Sequence, residues 1–116
     1  IVGDMNADPQ DGDTVPGAIS QLLNHRLINS RQTPVSQGAV AFKNVGVNAS
    51  HRGPAENDTA DFSDRSPGNL RVDYVLPSRS FKVVDSGVFW PLAGEPAADL
   101  IDLSDHRLVW IDVTLK

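Results

Sequence analysis

Three places in this chain carry acid, amide or imidazole side chains where the surrounding pattern asks for apolar ones. Near the start, Asp4 and Asn6 flank Met5 at the end of the apolar run Ile1-Val2-Gly3. On extended backbone, side chains two apart share a face, so this spacing aims a carboxylate and an amide at one space. In the middle, Asp73 interrupts Val72-Asp73-Tyr74-Val75, the strongest strand pattern in the sequence. An ionised carboxylate inside such a strand is costly unless a partner satisfies it. Near the end, Asp105-His106 stands immediately before Leu108-Val109-Trp110-Ile111. Polar groups at three strand mouths, one of them an imidazole that titrates near neutral pH, form the pattern of a site assembled above a sheet. Each also has a plain reading on its own. Asp4 suits a turn and Asn6 an Asx cap, Asp73 suits an ion pair with Arg71 or another arginine, and Ser104-Asp105-His106 suits a turn before a strand.

The elements that must position these groups follow from periodicity and punctuation. Leu70–Leu76 alternates and ends at Pro77, Phe81–Phe89 is a second strand with the turn-prone Asp85-Ser86-Gly87 interrupting it, and Arg107–Leu115 is a third. Pro16 opens a helix over Gly17–Ile28, with Ile19, Leu22, Leu23 and Leu27 on one stripe and His25 and Arg26 on the polar side. Ser30–Gly68 is rich in Gly, Pro, Ser, Asn and Asp, and reads as a long irregular stretch. Its His51-Arg52-Gly53 fits either an exposed loop or a substrate-facing rim. Asp8, Asp11 and Asp13 lack EF-hand spacing and its terminal Glu, so Ala7–Asp13 reads as a solvated loop with Asx turns. Strands, one helix and long strand-end loops predict a layered α/β (α+β) fold.

Composition narrows the classes. The chain has 116 residues, enough for one domain with a real core, and 40% of them are hydrophobic. No apolar run is long enough to span a membrane. Cysteine is absent, which excludes disulfides, thiolate metal sites and Cys nucleophiles. The net charge of −5, from 15 acidic and 10 basic residues, argues against a broad nucleic-acid-binding face and suits carboxylates gathered around a divalent cation.

Taken together, Gly3-Asp4-Met5-Asn6, then Arg71-Val72-Asp73-Tyr74-Val75-Leu76, then Ser104-Asp105-His106 resemble the endonuclease/exonuclease/phosphatase superfamily, over almost the whole chain from Val2 to Val113. The resemblance implies half of a four-layered α/β sandwich with mainly antiparallel strands. In that family the Gly-Asp-x-Asn strand lies near mid-domain, so residues 1–116 are expected to be the C-terminal portion of one domain whose N-terminal half is absent.

The activity so implied is metal-dependent hydrolysis of a phosphodiester or phosphomonoester by in-line attack of water. Asp4 would orient or deprotonate the water, and Asn6 would donate its amide to a phosphate oxygen. His106 would donate to the charge developing on the phosphoryl group, and Asp73 would hold its imidazole in one tautomer. Asp105 would help hold Mg²⁺, with Mn²⁺ or Ca²⁺ as alternatives, beside a principal ligand from the absent half. The substrate is left open among nucleic acid, inositol phosphate and a phospholipid headgroup. A nuclease is one alternative, although Arg65, Arg71, Arg79 and Lys82 are the only basic residues near the second motif. An inactive family-shaped binding or scaffold domain is another. The resemblance points to a bacterial, exported member, and the compartment itself stays open. The 116-residue chain alone is expected to be inactive and to self-associate where the absent half would pack.

Overall fold

The alternation at 70–76 is realised side chain by side chain. Leu70, Val72, Tyr74 and Leu76 are buried, while Arg71, Asp73 and Val75 between them stay partly exposed. The structure, a computed structural model, describes residues 1–116. Its strands are β1 (Val2–Asp4), β2 (Ala60–Asp61), β3 (Asn69–Leu70), β4 (Asp73–Val75), β5 (Phe81–Phe89) and β6 (Leu108–Leu115). Helices α1 (Ser20–Leu23) and α2 (Gln37–Ala41) join them, with 3₁₀ turns at Gly46–Ser50, Ala55–Asn57 and Ala98–Leu103. The strands pair as three antiparallel ladders, β1 with β4, β2 with β3 and β5 with β6. Mixed helix and strand with antiparallel ladders is the expected α/β class.

Several elements differ from the sequence expectation, for identifiable reasons. The helix expected over Gly17–Ile28 shrinks to Ser20–Leu23. Gly17 takes a left-handed φ of 80°, and no side chain caps the helix N-terminus. At the other end Ser30 Oγ takes the carbonyl of Leu23, which a continuing helix would have used. Leu27, expected on the apolar stripe, is exposed. The single strand expected over 70–76 is divided into β3 and β4, because Val72 and Asp73 turn their N–H groups to the hydroxyl of Thr59. Conversely, Asp85-Ser86-Gly87 does not interrupt β5. Those residues pair with Asp112, Ile111 and Trp110, and the irregularity falls between Val83 and Asp85.

The stretch 30–68 is more ordered than its composition suggests. Ser36 caps α2 by accepting from the N–H of Ala39 at 3.2 Å. Gly38 brings its N–H to the Trp90 carbonyl at 3.1 Å, and a Cβ at that position would clash with the same oxygen. The helix therefore packs on the end of β5, where Ala39, Val88 and Trp90 form one apolar cluster. A second cluster joins Ala7, Ile19, Ile28, Tyr74 and Leu76, and a third joins Ala60, Leu70 and Val72. Tyr74 ties the second cluster together by donating to the carbonyl of Ala7 at 2.7 Å.

The Asp8–Asp13 loop behaves as an Asx-turn loop. Asp8 Oδ1 accepts from the N–H groups of Gln10 and Asp11, while its Oδ2 accepts from Arg71 N–H at 2.8 Å. Asp11 reaches across 41 and 42 residues to accept from the N–H groups of Arg52 and Gly53. These carboxylates serve as clasps between loops. No helix in the structure is long and apolar enough to cross a membrane.

Candidate active site

The ladder registers decide which polar side chains meet. β1 lies against β4 with Asp4 opposite Asp73. On the other flank, the segment 59–61 receives the chain around His106. Arg107 N–H donates to the Thr59 carbonyl at 2.8 Å, and Asp61 N–H donates to the Asp105 carbonyl at 2.8 Å. Ala60 and His106 form a bridge pair between these two bonds. Asp73 and His106, 33 residues apart in sequence, are thereby brought to 2.9 Å between Oδ2 and Nδ1.

The surroundings of the pair favour a charged imidazole. Burial works against the His106 proton, but the hydrogen bond to Asp73 and the charges of Asp73, Asp4 and Asp105 outweigh it and raise the pKa above the ordinary histidine value. The Phe62 ring meets the imidazole edge-on at 5.5 Å and limits its rotation on that side. About a third of the His106 side chain remains exposed, against 17% for Asp73. Nε2 makes no hydrogen bond within the chain. A carboxylate on one ring nitrogen and an open second nitrogen is an arrangement that can donate to, or exchange a proton with, an anionic group outside.

Asp4 is exposed, close enough for its charge to act on His106, and its Oδ1 accepts from Asn6 N–H at 2.7 Å. Asn6 lies beyond the end of β1 in the left-handed region, with φ 45°. The two-residue strand spacing therefore does not describe how its amide is presented; a turn closed by Asp4 does. Asp105 is exposed beside His106, and Ser104 Oγ caps the turn by accepting from His106 N–H at 3.0 Å.

The model of the Endonuclease/Exonuclease/phosphatase family matches residues 1–106, a span that contains all of these residues. The chain belongs to that family. Comparison with curated proteins and with solved structures found no match. That family is one of phosphoesterase- and nuclease-type hydrolases.

Two residues that support the site have no signal in the local sequence. Thr59 is 2% exposed; its hydroxyl donates to the Asp73 carboxylate and accepts from the N–H groups of Val72 and Asp73. Arg107, 7% exposed, stacks over Trp90 at 4.5 Å and pairs with Asp61 Oδ2 at 3.1 Å. It also donates to the carbonyls of Ile101 and Ser104, fixing the turn that carries His106. Burial raises the Asp61 carboxyl above its ordinary value despite the opposing charge and hydrogen bond of Arg107. Nothing but tertiary pairing distinguishes these from any surface Thr or Arg.

The divalent cation implied by the family resemblance finds no complete donor set here. No three or more His, Asp or Glu side chains gather at metal-holding distance, so the residues of this chain do not by themselves make such a site. A cleft of about 450 Å³ lies elsewhere, lined by polar loop residues such as Asp11, Arg52 and His51, with neither Asp73 nor His106 among its walls. The Asp73–His106 pair sits at the strand mouths with part of the imidazole open to solvent.

Proposed function

We propose that the protein hydrolyses phosphodiester or phosphomonoester bonds by in-line attack of water, with Asp73 and His106 at the phosphoryl group. The 2.9 Å contact between Asp73 Oδ2 and His106 Nδ1 is the observation that carries this reading. Phosphoryl transfer asks for positioning and for charge stabilisation on the phosphoryl oxygens. A His106 held in one orientation, with its protonated form favoured by three neighbouring carboxylates, supplies a donor to that charge. Asp4 orients the water and receives its proton as the new P–O bond forms, and the ester P–O bond breaks with the departing alkoxide taking a proton from solvent. Asn6 donates its amide to a phosphate oxygen.

The proposal includes a divalent cation, Mg²⁺ in the first place, which supplies Lewis-acid stabilisation of phosphoryl charge when bound. Asp105 would contribute one oxygen ligand to it. The net charge of −5 favours small phosphate esters over polynucleotides as substrates.

The test is hydrolysis of simple phosphodiesters, inositol phosphates and DNA by the full product of the gene, with Mg²⁺ and with chelator. Activity with Mg²⁺ that falls by roughly 10²–10⁴ in His106→Ala is expected. For Asp73→Asn, loss of a charge-assisted hydrogen bond worth about 1.5–3 kcal/mol predicts a fall of roughly 10- to 100-fold. A full-length product that hydrolyses none of these substrates would refute the proposal and leave a binding or scaffold role.

A further inference from the structure

The Asp73–His106 pair is half of a larger arrangement whose centre is a hydroxyl. Thr59 Oγ1 lies 3.0 Å from Asp73 Oδ2, 3.0 Å from Val72 N and 2.9 Å from Asp73 N. A threonine hydroxyl has one proton and two lone pairs. The two backbone N–H groups occupy both lone pairs, so the proton has a single destination, the carboxylate oxygen of Asp73. That same oxygen faces Nδ1 of His106 at 2.9 Å.

The side chain that makes these bonds is itself immobile. Thr59 is 2% exposed, its N–H donates to the Leu70 carbonyl at 2.9 Å, and its own carbonyl accepts from Arg107 N–H at 2.8 Å. The residue is therefore fixed by its backbone to the strand before Asp73 and to the residue after His106. Its hydroxyl then fixes the carboxylate that lies between them. Without the hydroxyl, Asp73 keeps its place in β4 but loses the contact that stops the carboxylate rotating about its terminal torsion, which is a soft one.

We propose that Thr59 is a positioning residue of the site: its hydroxyl proton, directed by the N–H groups of Val72 and Asp73, holds Asp73 Oδ2 on Nδ1 of His106 and so sets the orientation of the imidazole. The catalytic meaning of this arrangement rests on the phosphoesterase reading above, whereas the arrangement itself does not. The hydroxyl spends its one proton on Asp73 Oδ2, and the ring donates to the same oxygen through Nδ1–H, which leaves Nε2 without a partner in the chain.

Two substitutions separate the hydroxyl from the shape of the side chain. Thr59→Val keeps the β-branch and removes the hydroxyl, and Thr59→Ser keeps the hydroxyl and removes a methyl group. The solvent exchange of the His106 Nδ1 proton, followed by NMR at one fixed pH, is the readout. In Thr59→Val the exchange should quicken by roughly fivefold, as expected for the loss of one hydrogen bond. In Thr59→Ser it should stay within about twofold of the wild type, and Asp73→Asn should quicken it further. A folded Thr59→Val protein whose Nδ1 proton exchanges as slowly as in the wild type overturns the proposal.

If Thr59→Val does not fold, the wild-type protein decides. The Thr59 hydroxyl proton should be visible as a slowly exchanging resonance with a cross-peak to the Nδ1 proton of His106, and its absence overturns the proposal. The two readings fail separately. Exchange quickened by Thr59→Val in a protein that hydrolyses no phosphate ester retains Thr59 as the positioning residue and removes the phosphoesterase. Hydrolysis that depends on His106 but an Nδ1 proton indifferent to the Thr59 hydroxyl does the reverse.

Discussion

Asp58, the residue just before Thr59, carries a charge that the fold holds at a cost, and replacing it with Asn should stabilise the protein at neutral pH. Burial of the carboxyl, followed by the charges of Asp8, Asp11 and Glu56, pushes its pKa from the ordinary 3.8 up to about 7. An acid with a raised folded value binds its proton more tightly in the folded state than in the unfolded one. On this group, stability is therefore fully present below about pH 4, falls as pH rises, and reaches its floor above about pH 7. The difference between 3.8 and about 7 is about 3 pH units, which at about 1.4 kcal/mol each gives about 4 kcal/mol for a fully shielded group. Water reaches part of this carboxyl and screens it, so about 1–2 kcal/mol is the expected cost at pH 8. Asn has nearly the same shape, and the Asp58 carboxylate makes no hydrogen bond that the substitution would break.

Urea or thermal unfolding of wild type and Asp58→Asn across pH 4–8 isolates the effect, because every other titrating group is common to both. The variant should gain about 1–2 kcal/mol, or about 4–8 °C in Tm, at pH 8 and close to nothing at pH 4. A difference between the two proteins that is flat with pH, or a less stable variant at pH 8, would refute the reasoning.

Two further outcomes follow from the packing. Arg107→Met keeps the stacking on Trp90 but strands Asp61 and frees the Ile101–Ser104 turn, so a loss of about 2–3 kcal/mol in urea unfolding is expected, together with faster hydrogen exchange around His106. Leu108 and Leu115 leave much of their apolar surface on β6 uncovered, at 67% and 76% exposed, so the chain should self-associate with rising concentration and Leu108→Glu should reduce this. A wild-type chain that sediments as a monomer at all concentrations counts against that expectation.

Much of the strand architecture was legible because strand periodicity is a local property. The alternation from Leu70 to Leu76 became an alternation of burial, and β5 and β6 lie within a residue of their expected bounds. The helix was less legible. Its apolar stripe is real, with Ile19 buried and Leu22 and Leu23 packed on the same cluster, but a left-handed Gly17 and a hydrogen bond from Ser30 Oγ to the Leu23 carbonyl, neither encoded by the stripe, cut it to one turn. The ordered turns within 30–68 were hidden because their caps and clasps, such as Asp11 to Gly53, join residues far apart in sequence.

The sequence by itself determined which residue types stand at the strand mouths, since a carboxylate at Asp73 and an imidazole at His106 contradict their apolar neighbours whatever the fold. It also determined the family, through motifs that keep their order along the chain. Only the tertiary structure decided that Asp73 and His106 touch, that Asn6 leaves the strand in a turn, and that Thr59 and Arg107 hold the pair in place. The reason is physical. Side-chain character is written residue by residue, but a 2.9 Å contact across 33 residues exists only once the antiparallel registers have been set.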